Sequence, residues 1–242
     1  MSSAPSPVRG RLFVIAAPSG AGKTSLVRAL MERETGLRFS ISYTTRPQRP
    51  NEVHGRDYFF VAREEFDRMV AAGEFLEYAT VFDNSYGTAR RQVEDSLAAG
   101  QDLILEIDWQ GARQIRATLP ECRSIFILPP SRPELERRLR GRGTDAEEVI
   151  QRRLRDAAGD MGHWREFEFV VVNDDFERAL AELQAKVPPA RTCSSCWRLT
   201  YERFADMIER HWDGLAAYCR PENMVSLDFL MIQTKRPALQ SV

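Results

Sequence analysis

The chain has 242 residues, 43% hydrophobic and 29% charged, the balance of a globular protein with material for one large core and an appendage. Its formal net charge of −1 excludes a globally basic nucleic-acid binder, although a local basic patch stays open. No apolar run approaches the roughly 20 residues that cross a bilayer, and the four unevenly placed cysteines make no disulfide framework. These features point to a cytoplasmic protein without nucleic-acid or membrane partners. They leave homo-oligomer formation open.

Residues 1–9 are rich in Ser and Pro without an apolar h-region and read as a flexible leader. Residues 11–16 are a short apolar run rich in β-formers, the pattern of a buried strand. The run Ala17-Pro18-Ser19-Gly20-Ala21-Gly22-Lys23-Thr24 follows. Then residues 25–34 carry Leu26, Val27, Leu30 and Met31 at helical spacing. Strand, glycine loop and helix is the order that a phosphate-binding loop requires. Backbone N–H groups and a helix N-terminus would hold nucleotide phosphates, Lys23 would reach the β/γ-phosphates, and the Thr24 hydroxyl would ligate Mg²⁺. Ala17 stands where the pattern has glycine, so either its φ is negative or the loop is strained. Lys23 is one of only three lysines, with Lys186 and Lys235, among many arginines. That isolation suits a role needing a compact ammonium.

Residues 39–60 are polar and bear arginines, with Pro47 and Pro50 breaking regular structure. Strands are predicted over 40–45, 57–61 and 76–82, and a helix over 64–72 that ends at Gly73; together they make a small α+β insertion. Arg46 and Arg49 lie here, with Tyr58 and Tyr86 as neutral donors. Arginine forks match phosphate oxygens, which would make a second phosphate site. Solvation of a loop is the plain alternative.

Residues 102–108 form an apolar strand ending in Asp108, an acid suited to stand near Mg²⁺, directly or through water. Strands over 123–128 and 169–173 and helices over 133–140, 146–158 and 176–187 complete the series, with a hinge-like break at Gly141-Arg142-Gly143. Apolar strands alternating with helices predict an α/β fold whose parallel sheet has helices on both faces. Pro188-Pro189 marks a boundary. Beyond it Tyr201, Phe204, Ile208, Trp212 and Leu215 keep helical spacing, and Cys193, Cys196, His211 and Cys219 leave open a zinc site or a plain amphipathic helix.

Seven segments in order resemble guanylate kinase: residues 17–24, 40–49, 54–60, 84–88, 106–111, 138–143 and 172–175. The resemblance runs from residue 11 to 187. It implies a P-loop NTPase-type core (10–39, 96–133 and 159–187), a GMP-binding insertion (40–95), a helical lid (134–158), and an extension of unknown role (188–242). By position it assigns Arg46, Arg49, Tyr58 and Tyr86 to the GMP phosphate, and Ser42, Glu77, Thr88 and Asp108 to guanine. Arg138, Arg142 and Arg153 would reach the phosphates when the lid closes, and Asn173 would lie near the adenine of ATP. Glu106 stands where the family commonly has aspartate, one methylene longer beside the metal. The implied activity is reversible, Mg²⁺-dependent phosphoryl transfer from ATP to GMP and dGMP, serving purine nucleotide metabolism.

The chemistry of these residues fits that activity. A carboxylate at Glu77 accepts from guanine N1–H and the 2-amino group together, and adenine lacks that pair of donors. The GMP phosphate is already anionic, so no general base is needed, and no essential histidine is expected among His54, His163 and His211. Lys23, the arginines and Mg²⁺ would offset repulsion between two polyanions. Two other readings stand beside this one: a guanylate-kinase-like module that holds a protein ligand without catalysis, and a kinase for another phosphorylated acceptor.

Overall fold

The computed structural model describes residues 9–81, 83–141 and 147–187. The first strand, β1 (Leu12–Ala16), is buried along its whole length. The glycine loop leads from it into α1 (Lys23–Arg33). Next come β2 (Leu37–Phe39), β3 (Tyr43–Thr44), β4 (Phe59–Phe60), α2 (Arg63–Ala71), β5 (Phe75–Val81), β6 (Asn84–Ala89) and α3 (Arg90–Ala98). The chain continues through β7 (Asp102–Ile107), α4 (Trp109–Thr118), β8 (Arg123–Leu128), α5 (Arg132–Arg140) and α6 (Glu147–Met161). After a short 3-10 turn (Gly162–Glu166) come β9 (Phe169–Val172) and α7 (Phe176–Lys186).

Five strands form one sheet in the order β2-β7-β1-β8-β9, and every pairing is parallel. Side chains alternate across it, so β1 sends Leu12, Val14 and Ala16 to one face and Phe13 and Ile15 to the other. The first face is covered by α3, α4, α5 and α6 through Val93, Leu97, Ile115, Leu135, Leu139, Ile150 and Leu154. The second is covered by α1 and α7 through Leu26, Leu30, Leu180 and Leu183. Burial on both faces is why these strands are unbroken apolar runs rather than alternating ones.

A second sheet, in the order β4-β3-β6-β5, is mixed: β3 pairs β4 in parallel, while β6 runs antiparallel to β3 and β5. It has its own small core of Phe66, Met69 and Phe75. The strand expected over 40–45 shrinks to Tyr43–Thr44, and the one over 57–61 to Phe59–Phe60. Four elements carried no clear signal: β2, β6, α3 and α4. β2 is three residues long. β6 is Asn-Ser-Tyr-Gly-Thr-Ala, polar and small, and only its partners make it a strand. α4 begins with Trp-Gln-Gly and has few apolar residues. The Cys193, Cys196, His211 and Cys219 cluster, the helical pattern beyond Pro189, and Arg142 all lie outside the described residues.

Candidate active site

The register aligns Ala16 with Ile107, so the glycine loop leaves β1 beside the carboxyl end of β7. In parallel sheets ligands gather at that edge. Gly20 and Gly22 have φ of 89° and 92°, which only glycine adopts without strain. Ala17 is not in the positive-φ region, so the loop accommodates alanine at its first position. The loop is braced from behind. The Asn173 side-chain N–H donates to the carbonyl of Ala21 at 2.8 Å, and a Cβ on Gly22 would come 2.3 Å from that nitrogen. Arg138 on α5 donates to Ala21 O at 3.3 Å and to Asn173 O at 2.9 Å. Its Nε donates to Glu134 Oε1 at 2.7 Å. Hydrogen bonds from Arg137 and Arg138 hold the Glu134 carboxyl down at about 2. Asn173 thus supports the loop backbone in this structure, and Arg138 ties α5 to it. Arg153 sits half-buried on α6.

Lys23 donates to the carbonyl of Ile107 at 2.9 Å, and its ammonium is 3.9 Å from Glu106 Oε1. The Thr24 hydroxyl donates to that same carboxylate oxygen. Of the two acids at the end of β7, then, Glu106 meets Thr24. Asp108 turns away to begin α4, where its Oδ1 accepts the Gly111 N–H at 2.8 Å. An acid at the strand end was legible in the sequence; which of two acids two residues apart faces the threonine was not. The hard oxygens of Thr24 and Glu106 are the donor type that Mg²⁺ prefers.

The second sheet supplies another cluster. A β-bulge between Phe75 and Glu77 re-aims the strand, so Phe75 enters the small core, Leu76 the main core, and Glu77 faces Thr88 across the ladder. Glu77 is 3% exposed and Thr88 fully buried, and the Thr88 hydroxyl donates to Glu77 Oε1 at 2.5 Å. Burial pushes the Glu77 carboxyl up to about 7. The Thr88 hydrogen bond opposes the shift, the charge of Asp108 adds to it, and Lys23 opposes it. Ser42 is buried at the start of this sheet.

Tyr58 and Tyr86 gather near Arg46, and Arg46 and Arg49 are both held by a residue that sequence reasoning missed, Glu52. Arg46 donates to Glu52 Oε1 at 2.7 Å and to Pro47 O at 2.8 Å. The Arg49 backbone N–H donates to Glu52 Oε2 at 2.9 Å, while the Arg49 side chain is 60% exposed. The Arg46 guanidinium lies 5.5 Å from the Tyr58 ring centre and 5.7 Å from that of Phe60. Tyr58 and Tyr86 meet edge to face at 6.1 Å. Burial, with the nearby charge of Glu106, pushes the Tyr58 phenol up to about 12, so it stays a neutral donor. A carboxylate three residues after one arginine and six after another was the available signal for Glu52. His54 stands apart, its Nδ1 accepting the Phe60 N–H at 3.2 Å. His163 stacks on Trp109 at 3.5 Å.

A family model described as guanylate kinase matches residues 9–188. The chain is similar to the guanylate kinase of Methylococcus capsulatus, 54% identical over 202 residues covering 84% of this chain and 96% of that one. It is also similar to that of Alkalilimnicola ehrlichii, 57% identical over 176 residues covering 73% and 87%. Among solved structures, guanylate kinase from Anaplasma phagocytophilum superposes with a TM-score of 0.60 at 30% identity, over 93% of this chain and 95% of that chain. With the match taking in the glycine loop, Arg46, Glu77 and Asn173 alike, the chain belongs to the guanylate kinase family of nucleoside monophosphate kinases, the ATP:GMP phosphotransferases.

Proposed function

We propose that the glycine loop holds ATP, that the second sheet holds GMP or dGMP, and that the γ-phosphoryl passes between them. The observation that carries this reading is the buried Glu77–Thr88 pair, close enough to Lys23 to feel its charge, on the same sheet that Arg46 and its partner Glu52 adjoin just after β3. Glu77 in its ionised form accepts from guanine N1–H and the 2-amino group, and its neighbours Ser42, Thr88 and Asp108 line the same pocket. Arg46, Arg49, Tyr58 and Tyr86 hold the GMP phosphate. Its oxygen attacks the γ-phosphorus as the bond to the β-phosphate oxygen breaks. The attacking oxygen is already anionic, so no proton must be removed.

The chain's own residues then have three tasks. Backbone N–H groups of residues 17–24 and Lys23 orient the ATP phosphates and offset their charge. Arg138, Arg142 and Arg153 add positive charge from the lid, whose closure excludes water as a competing acceptor. Asn173 keeps the loop backbone in place beside the adenine end. Thr24 and Glu106 would hold Mg²⁺, with Asp108 available through water. Bound there, the ion would neutralise charge on the phosphates. We place this activity in the cytoplasm, in purine nucleotide metabolism. Among the described residues no helix is long and apolar enough to cross a membrane.

A coupled ADP-release assay offering GMP, dGMP, AMP, CMP and UMP tests the reading. Turnover with GMP and dGMP alone is expected. A preference for another acceptor, or no turnover with GMP, would overturn it.

A further inference from the structure

Gly111 sits in the first turn of α4, where its backbone is not in the positive-φ region. Nothing in the local conformation asks for glycine, and alanine is the better helix former. Space asks for it instead. A Cβ at this position would fall 2.3 Å from Glu77 Oε2, 3.0 Å from the Glu77 carboxyl carbon and 3.3 Å from Asp108 Oδ1. A carboxylate at the end of a flexible side chain can often yield, but this one is enclosed. It is 3% exposed, and its other oxygen is held by Thr88.

The strand beneath it is clamped as well. Gln114, one turn further along α4, accepts the Tyr78 N–H at 3.2 Å and donates to the Tyr78 carbonyl at 2.7 Å. That gives the outer edge of β5 a side-chain substitute for a neighbouring strand. α4 therefore grips the residue after Glu77 and presents bare backbone to Glu77 itself.

We propose that Gly111 is a specificity-determining positioning residue: its missing side chain sets how deep the Glu77 carboxylate seats, and so whether that carboxylate meets the Watson–Crick edge of guanine. The inference rests on the reading of Glu77 as the guanine acceptor. It extends that reading to the core helix that carries Asp108, so that one turn of α4 shapes the base pocket from below.

The test is a set of four proteins: wild type, Gly111→Ala, Glu77→Ala and the double variant. In Gly111→Ala, KM for GMP is expected to rise about tenfold or more and the GMP-over-AMP preference to fall in step, as lost base contacts do. KM for ATP and the phosphate loop should be unaffected, an asymmetry that a general loss of structure would not produce. In the Glu77→Ala background the two closest contacts are gone and only Asp108 Oδ1 remains, at 3.3 Å, so the same substitution should leave Tm unchanged or raise it. In wild type it should lower Tm by about 5 °C. If Gly111→Ala fails to fold while the double variant folds, the obstruction is again the Glu77 carboxylate, as argued. A GMP KM within about twofold of wild type, an equal Tm loss in both backgrounds, or failure of both variants to fold would overturn the inference. Glu77→Gln assayed alongside separates it from its premise. If that variant keeps the wild-type GMP-over-AMP preference, the reading of Glu77 fails. If it loses the preference while Gly111→Ala does not, only the role of Gly111 fails.

Discussion

Lowering the pH should weaken GMP binding through one buried carboxyl. In the role proposed for it Glu77 must be ionised to accept two guanine donors, yet burial holds its carboxyl near 7 rather than at the ordinary 4.5. Its ionised fraction then falls from about 0.9 near pH 8 to about 0.1 near pH 6, so KM for GMP should rise about tenfold across that interval. The GMP phosphate also titrates near pH 6. Glu77→Gln supplies the control, because it keeps the phosphate titration and loses the carboxyl one. That variant should also lose about a hundredfold in kcat/KM for GMP, as its amide offers a donor where guanine needs an acceptor.

The stability sign is opposite to that of a salt-bridged acid. The folded state binds this proton more tightly than the unfolded chain, so between about pH 4.5 and 7 stability falls as pH rises, by roughly 3 kcal/mol in all. Assays of initial rate against GMP from pH 5.5 to 8.5, with thermal melts over the same range, check both. Parallel KM profiles for wild type and Glu77→Gln would show that the Glu77 carboxyl does not govern GMP binding.

Three further outcomes are expected. Lys23→Ala should lower kcat by a factor on the order of 10²–10³ while leaving the melting temperature near that of wild type, since the lost ammonium acts on phosphate charge; turnover rates and melts check it. Arg46→Lys should raise KM for GMP about tenfold, because a point charge replaces a fork stacked near Tyr58 and Phe60; KM for ATP should stay constant. Glu106→Gln should raise the Mg²⁺ concentration for half-maximal rate about tenfold or more, as the carboxylate in contact with Thr24 is neutralised. A Mg²⁺ titration at saturating nucleotides reads this directly, and an unchanged requirement would remove Glu106 from the metal site.

Local pattern was enough to read the core. β1, β7, β8 and β9 are short apolar runs, and burial on both faces of a parallel sheet leaves no other pattern open to them. The glycine loop was equally legible, because Gly20 and Gly22 serve a backbone conformation that residue type alone reports. Arg46, Glu77 and Asp108 could be singled out by chemistry and resemblance. Their surroundings could not, because those depend on contacts far along the chain. Glu106 and Asp108 share one strand end, and only the crossing from β7 to α4 sends one to Thr24 and the other to cap a helix. The bulge before Glu77 is a property of the pairing of β5 with β6, not of either strand. Gly111 reads as a poor helix residue until β5 is laid against α4, when the missing Cβ becomes the room in which a buried carboxylate sits. Residue pattern alone was enough for four of the five core strands, the glycine loop and the types of charge available. Tertiary structure decided which of those charges meet, because burial and distance belong to pairs of residues and no single position carries them.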